Sequence, residues 1–180
     1  MKLAFTWLLT LSCFVCTLQA QKTEFFQDFE NLKQGQNILT LKTKDFKGWG
    51  KSTWQVTEKE GAGYNNSNKY ASSGNEEKIT LVQYRNLKAG TTYVFSTAIK
   101  MTNVGGKAWK GNYTLKVTSG KKGDIHMYGK EEVKEPTANK WQNHQIKFTV
   151  KEGREAVVLQ VYRWAKNTTL NVDDFKLTSK

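Results

Sequence analysis

Beyond residue 20 the chain alternates apolar and polar positions in short runs, and no stretch longer than about a dozen residues holds an apolar period of 3.6. The two-residue period predicts strands over 24–30, 52–57, 78–85, 92–101, 112–119, 125–128, 141–150, 156–164 and 170–178. Between them, residues 61–68, 103–106 and 119–123 are rich in Gly, Asn, Lys and Ser, the chemistry of turns and loops. About nine strands in one domain predict an all-β fold, a two-sheet antiparallel β-sandwich or jelly roll.

The last of these strands reads Leu170-Asn171-Val172-Asp173-Asp174-Phe175-Lys176-Leu177. Strict alternation puts Asp173 on the side of Phe175 and Leu177, at the rim of the core, where an unpaired charge is costly. A bound cation is the economical compensation, and Phe29-Glu30 offers a second carboxylate in a similar setting near the other end of the domain. Pairing of Asp173 with a lysine, or capping of a turn, are the alternatives.

Residues 1–20 have their own pattern: Lys2, an apolar run from Leu3 to Cys16, then Thr17-Leu18-Gln19-Ala20. These are the regions of a secretory signal cleaved after Ala20, with an apolar core too short to span a bilayer comfortably. A lipoprotein signal at Cys13 or Cys16 is the alternative, but the preceding residues fit a lipobox poorly. Cleavage removes both cysteines, so residues 21–180 are expected to form one exported, disulfide-free domain, extracellular or periplasmic, with no membrane span.

The chain carries 28 Lys+Arg against 16 Asp+Glu, a net charge of +12. That excess favours an acidic partner. For an exported protein an anionic polysaccharide, an acidic cell surface or an anionic lipid is more natural than nucleic acid. No run of four or more basic residues occurs, so scattered lysines serving solubility account for the charge equally well.

Several motifs occur in a telling order: Phe29-Glu30, Gly48-Trp49, Gly90-Thr91-Thr92-Tyr93 in a tight turn, Lys140-Trp141 leading to Phe148-Thr149-Val150, and Val172-Asp173-Asp174-Phe175. Together they span nearly all of 24–178. This order resembles the jelly-roll carbohydrate-binding modules of the family 4/9/22 type, galactose-binding-domain-like sandwiches. One departure is Arg85, where such modules usually have an apolar residue. The resemblance implies a non-catalytic polysaccharide-binding module, acting as a monomer. It also implies a structural Ca²⁺ where the first and last strands meet, with Glu30 and Asp173 as side-chain ligands and main-chain oxygens near Asp28 and Lys69. Hard oxygen donors suit calcium rather than zinc, and beyond the signal only His126 and His144 offer softer ligands. With calcium in place, chelation lowers the melting temperature.

In the run 156–164, Val157, Leu159 and Val161 form one face, while Gln160, Tyr162 and Trp164 form the other. An amide beside two flat rings suits the apolar C–H face of a sugar and its hydroxyl edge; a cross-strand aromatic ladder is the alternative. Arg85 and Lys100 lie on strands able to share that sheet and would neutralise a uronate or sulfate, Arg85 with two parallel hydrogen bonds. Trp109, between lysines in a Gly-flanked loop, is expected either to lie over an acidic glycan or to cover the sandwich edge. Trp49, Trp54, Tyr93 and Trp141 are expected to pack.

No Gly-x-Ser-x-Gly or His-Glu-x-x-His motif appears, and nothing singles out a carboxylate pair. The enzymatic rival is a small jelly-roll polysaccharide lyase using His126 and Tyr128, two residues apart on one strand. A surface protein–protein interaction domain is the third reading, and it calls for an exposed apolar patch.

Overall fold

The computed structural model describes residues 21–41, 46–48, 52–76, 78–104, 111–121, 123–165 and 167–180. The expected signal, residues 1–20, lies outside them, as do Trp49 and Trp109. Strands β1 (Lys22–Gln27), β3 (Trp54–Glu58), β4 (Lys69–Ser73), β6 (Thr92–Asn103), β9 (Gln142–Thr149) and β11 (Thr168–Ser179) form one sheet, in the order β3-β4-β11-β6-β9 with β1 also on β11. Strands β2 (Phe46–Lys47), β5 (Lys78–Asn86), β10 (Ala156–Ala165), β7 (Gly111–Lys121) and β8 (Asp124–Lys134) form the second, in that order. All pairings are antiparallel. The molecule is an all-β sandwich.

Alternation explains which side of each strand is inside. In the second sheet Ile79 and Leu81 of β5, Val157, Leu159 and Val161 of β10, and Tyr113, Leu115 and Val117 of β7 are buried against Phe95, Ile99, Met101, Leu170, Val172, Phe175 and Leu177 of the first. An aromatic cluster closes one end: the Phe175 ring lies 4.8 Å from Phe95, 5.2 Å from Phe46 and 6.3 Å from Phe25. Trp54, fully buried, joins the layers by donating its indole N–H to the Thr80 carbonyl at 3.0 Å.

Two strands escape the sequence pattern. β2 is a two-residue segment, and β4, Lys-Tyr-Ala-Ser-Ser, puts only the small side chains of Ala71 and Ser73 on its core side, opposite Val56 and Trp54 of β3, so it carries no apolar stripe. β8 continues to Lys134 rather than stopping near 128, its second half being the exposed outer strand of its sheet, where Lys and Glu replace an apolar stripe. The turn before Tyr93 is not a hairpin between paired strands. It carries the chain from β5 in one sheet to β6 in the other, with Gly90 at φ +75° and its N–H on the Val150 carbonyl at 2.9 Å.

The largest revision concerns β11. A register shift between Asp173 and Lys176, with Asp174 at φ +47°, inserts an extra residue, so Asp173 faces outward while Phe175 faces the core. Asp173 is nonetheless buried, because the loop of residues 59–68 lies over it. Its Oδ2 accepts from the Tyr64 N–H at 2.9 Å and the Ser67 hydroxyl at 2.7 Å, and its Oδ1 from the Asp174 N–H at 2.9 Å. Burial raises its carboxyl to about 6 against these stabilising bonds. The same loop is held at Ala62, whose carbonyl accepts from Lys100 at 2.8 Å and from the Trp141 indole at 3.0 Å.

One buried group is out of place. Gln83 points into the core, and neither of its amide atoms has a partner among the described residues. Gln83→Met is therefore expected to raise the unfolding free energy by about 1–2 kcal/mol in urea titrations. A loss of stability would mean that a buried water holds the amide.

Candidate functional site

The outer face of the second sheet is set by the pairing register. Side chains opposite one another across antiparallel strands share a face, so β8, β7, β10 and β5 line up in rows. The first row is Met127, Thr118, Val158 and Tyr84; the second is Lys130, Lys116, Gln160 and Val82, extended by Lys47 of β2. The third is Glu132, Thr114, Tyr162 and Thr80; the fourth is Lys134, Asn112, Trp164 and Lys78. Rows two residues apart are about 6.6 Å apart along the strand, so the four cover about 20 Å.

This face concentrates aromatic rings and cations. Trp164 is 57% exposed and Tyr84 40% exposed. Each ring carries a lysine: Lys78 Nζ lies 4.5 Å from the Trp164 ring centre, Lys47 Nζ 5.4 Å from that of Tyr84, and Lys116 Nζ 5.7 Å from that of Tyr162. Five lysines project here against one strand carboxylate, Glu132, which pairs with Lys130 at 2.8 Å and accepts from Asn112 at 2.7 Å. Gln160 forms the floor at 4% exposure, and beside Tyr162 the buried Thr114 hydroxyl has no partner among the described residues. An open depression of about 480 Å³ lies at the Trp164 end, lined by Gly111, Asn112, Lys134, Glu135 and Trp164. Another, of about 360 Å³, is lined by Tyr84, Arg85, Asn86, Ala156 and Val157. Flat rings, amide and hydroxyl groups, and mobile ammonium groups suit a chain of hydroxylated, negatively charged rings.

The structure brings Gln160, Tyr162 and Trp164 together as the alternation of β10 indicates. It separates the other expected residues. Arg85 alternates to the inner side of β5, its guanidinium 4.3 Å over the Phe25 ring at the sandwich edge. Lys100 belongs to the opposite sheet, where its ammonium lies over Tyr70 at 4.8 Å and Trp141 at 4.4 Å and fastens the 59–68 loop. Lys100 therefore cannot share a ligand with Trp164 on one sheet face, while Arg85 keeps to the Tyr84 end, where it lines the smaller depression. Sequence reasoning missed Lys47, Lys78, Tyr84, Lys116, Lys130 and Lys134. The alternation within β5 that places Arg85 inward also places Tyr84 and Lys78 outward, but only the register brings them beside β10.

The residues expected around a calcium ion are engaged otherwise. Glu30 Oε1 accepts from the N–H groups of Asn68 (2.9 Å) and Lys69 (2.8 Å), and Asp28 Oδ1 from that of Glu30 (3.2 Å). The Lys69 ammonium donates to the main-chain oxygens of Glu30 at 3.1 Å and Leu32 at 3.0 Å. The Lys69 ammonium thus rests on main-chain oxygens of this segment, Asp173 accepts three hydrogen bonds, and the described residues contain no cluster of three His, Cys, Asp or Glu able to hold a metal. Glu30 and Asp173 are thus each committed to donors of the chain itself. EDTA is accordingly expected to leave the thermal unfolding curve unchanged; a fall of several degrees on chelation, restored by Ca²⁺, would contradict this reading.

His126 and Tyr128 pack edge to face at 4.7 Å, but on the side of β8 turned toward Phe148, away from the Trp164 face. The Tyr128 hydroxyl donates to the Arg154 carbonyl at 3.2 Å and accepts from the Lys151 N–H at 3.1 Å, a structural pair of bonds. The other histidine joins the two sheets: His144 Nε2 lies 2.7 Å from the Tyr113 hydroxyl and Nδ1 2.7 Å from Glu131 Oε1. Burial drives the Tyr113 phenol far above its ordinary value, and the residue is wholly inaccessible. Both groups pack rather than face the ring-and-lysine surface.

Among solved structures, the chain is similar to the xylan-binding CBM22-1 domain of Paenibacillus barcinonensis Xyn10C, with a TM-score of 0.59 and 16% identity over 89% of this chain and 96% of that one. The chain has the fold of the jelly-roll carbohydrate-binding modules. The C-terminal family 22 carbohydrate-binding module of Clostridium thermocellum Xyn10B matches with a TM-score of 0.59 at 11% identity, covering 86% of this chain and 92% of that one. TmCBM61, solved in complex with β-1,4-galactotriose, matches with a TM-score of 0.52 at 18% identity, covering 76% and 88%. No family model matches the chain, and no curated protein matches it. Among the described residues no helix is long and apolar enough to cross a membrane.

Proposed function

We propose that residues 21–180 form a secreted, monomeric, non-catalytic module that binds polysaccharide, with a preference for anionic glycans, on the outer face of the second sheet. The observation that carries this reading is the coincidence, on one sheet face, of Tyr84, Tyr162 and Trp164 with Lys47, Lys78, Lys116, Lys130 and Lys134. The fold adds support: proteins of this architecture include a xylan-binding domain and a module that holds β-1,4-galactotriose. Rings supply an apolar platform for sugar C–H faces, and lysines supply charge-assisted hydrogen bonds to carboxylate or sulfate. A glycan array read at low and at high salt tests both parts. Binding to uronate-containing or sulfated glycans that weakens as salt rises is the expected result. No binding to any glycan would remove the reading, and salt-insensitive binding would remove its anionic part.

A further inference from the structure

Each of the three rings of the proposed binding face has a lysine ammonium over it. Lys78, Lys47 and Lys116 reach across from neighbouring strands and lie over Trp164, Tyr84 and Tyr162 at 4.5, 5.4 and 5.7 Å from the ring centres. Lys78 is directly opposite Trp164 in the ladder, while Lys116 opposes Gln160 and Lys47 opposes Val82, each one step diagonal to its ring. A sugar stacking on an aromatic ring needs van der Waals contact with the same π-face that an ammonium covers. The arrangement repeats at every aromatic position of these four rows, so it acts on the whole platform rather than on one subsite.

Resting on the reading that this face binds glycan, we infer that Lys47, Lys78 and Lys116 are covers that set specificity, yielding the rings to anionic sugars and withholding them from neutral ones. A neutral sugar must displace each ammonium and lose its cation–π contact without offering an equivalent partner. A carboxylate or sulfate on the sugar ring draws the ammonium off the π-face into a charge-assisted hydrogen bond, so the contact is exchanged rather than lost. The long, flexible lysine stem permits that swing with its backbone fixed in the sheet. The same lysine therefore favours one ligand class and opposes the other, as discrimination between related ligands requires.

The test compares the protein with its K47M/K78M/K116M variant, in which unbranched apolar side chains replace the stems without the charge. The probes are an oligogalacturonate and xylohexaose, titrated at low salt with tryptophan fluorescence and calorimetry. The parent is expected to bind oligogalacturonate at least about tenfold more tightly than xylohexaose, and the variant to lose about tenfold for the first while gaining severalfold for the second. A variant that loses oligogalacturonate with no gain for xylohexaose overturns the inference and leaves the anionic glycan site standing. A parent and variant that both bind neither probe, nor any glycan of the array, overturn the site itself. Should the triple variant not fold, Lys78→Met alone carries the test at Trp164, where a gain for xylohexaose supports the inference and no gain overturns it.

Discussion

Phe175→Ala is expected to lower the unfolding free energy by about 3–5 kcal/mol, measured by urea denaturation, and Phe175→Leu by about 1–1.5 kcal/mol. The ring is fully buried and touches Phe25, Phe46 and Phe95 from strands of both sheets, so its removal leaves a cavity that no single strand can collapse to fill. Its edge-on contacts with Phe46 and Phe25 add to the area term. Against a total stability of about 5–15 kcal/mol for a domain of this kind, the loss is a large fraction. A cost below about 1 kcal/mol would mean that the β11 bulge does not deliver Phe175 to the core, and the placement of Asp173 beneath the 59–68 loop would fall with it.

Trp164→Ala is expected to lower affinity for anionic glycan about thirtyfold, corresponding to about 2 kcal/mol, while changing stability by no more than about 0.5 kcal/mol. The two effects separate because the ring is 57% exposed and lies against Lys78 rather than in the core. Loss of binding together with stability would mark Trp164 as a packing residue. Retained affinity in a stable variant would move the site elsewhere on the molecule.

The fold was legible because alternation is a strong signal wherever one face of a strand is buried: β5, β6, β7, β9, β10 and most of β11 follow from it. β4 was not legible, since Lys-Tyr-Ala-Ser-Ser offers only Ala71 and Ser73 to the core and is joined to β3 by a ten-residue loop rather than a tight hairpin turn. The outward turn of Asp173 was hidden for a related reason. One inserted residue, Asp174 at positive φ, reverses the face of everything after it, and nothing in a period-two pattern announces a bulge. The site was half legible. Gln160, Tyr162 and Trp164 share a face by local alternation alone, whereas the lysines that surround them arrive from four other strands through a register fixed only by tertiary pairing. Charge alone points to Arg85 and Lys100; sheet membership removes Lys100 from that face, and strand parity turns Arg85 inward at the Tyr84 end, where it lines the smaller depression.

The central claim is the location of the glycan site, and backbone amide chemical-shift mapping of the isotope-labelled protein during titration with an oligogalacturonate tests it most directly. Shifts concentrated at Lys78, Lys116, Gln160, Tyr162 and Trp164 are the predicted result. Shifts concentrated instead in the 59–68 loop and around Lys100 and Trp141, on the opposite sheet, would contradict the account.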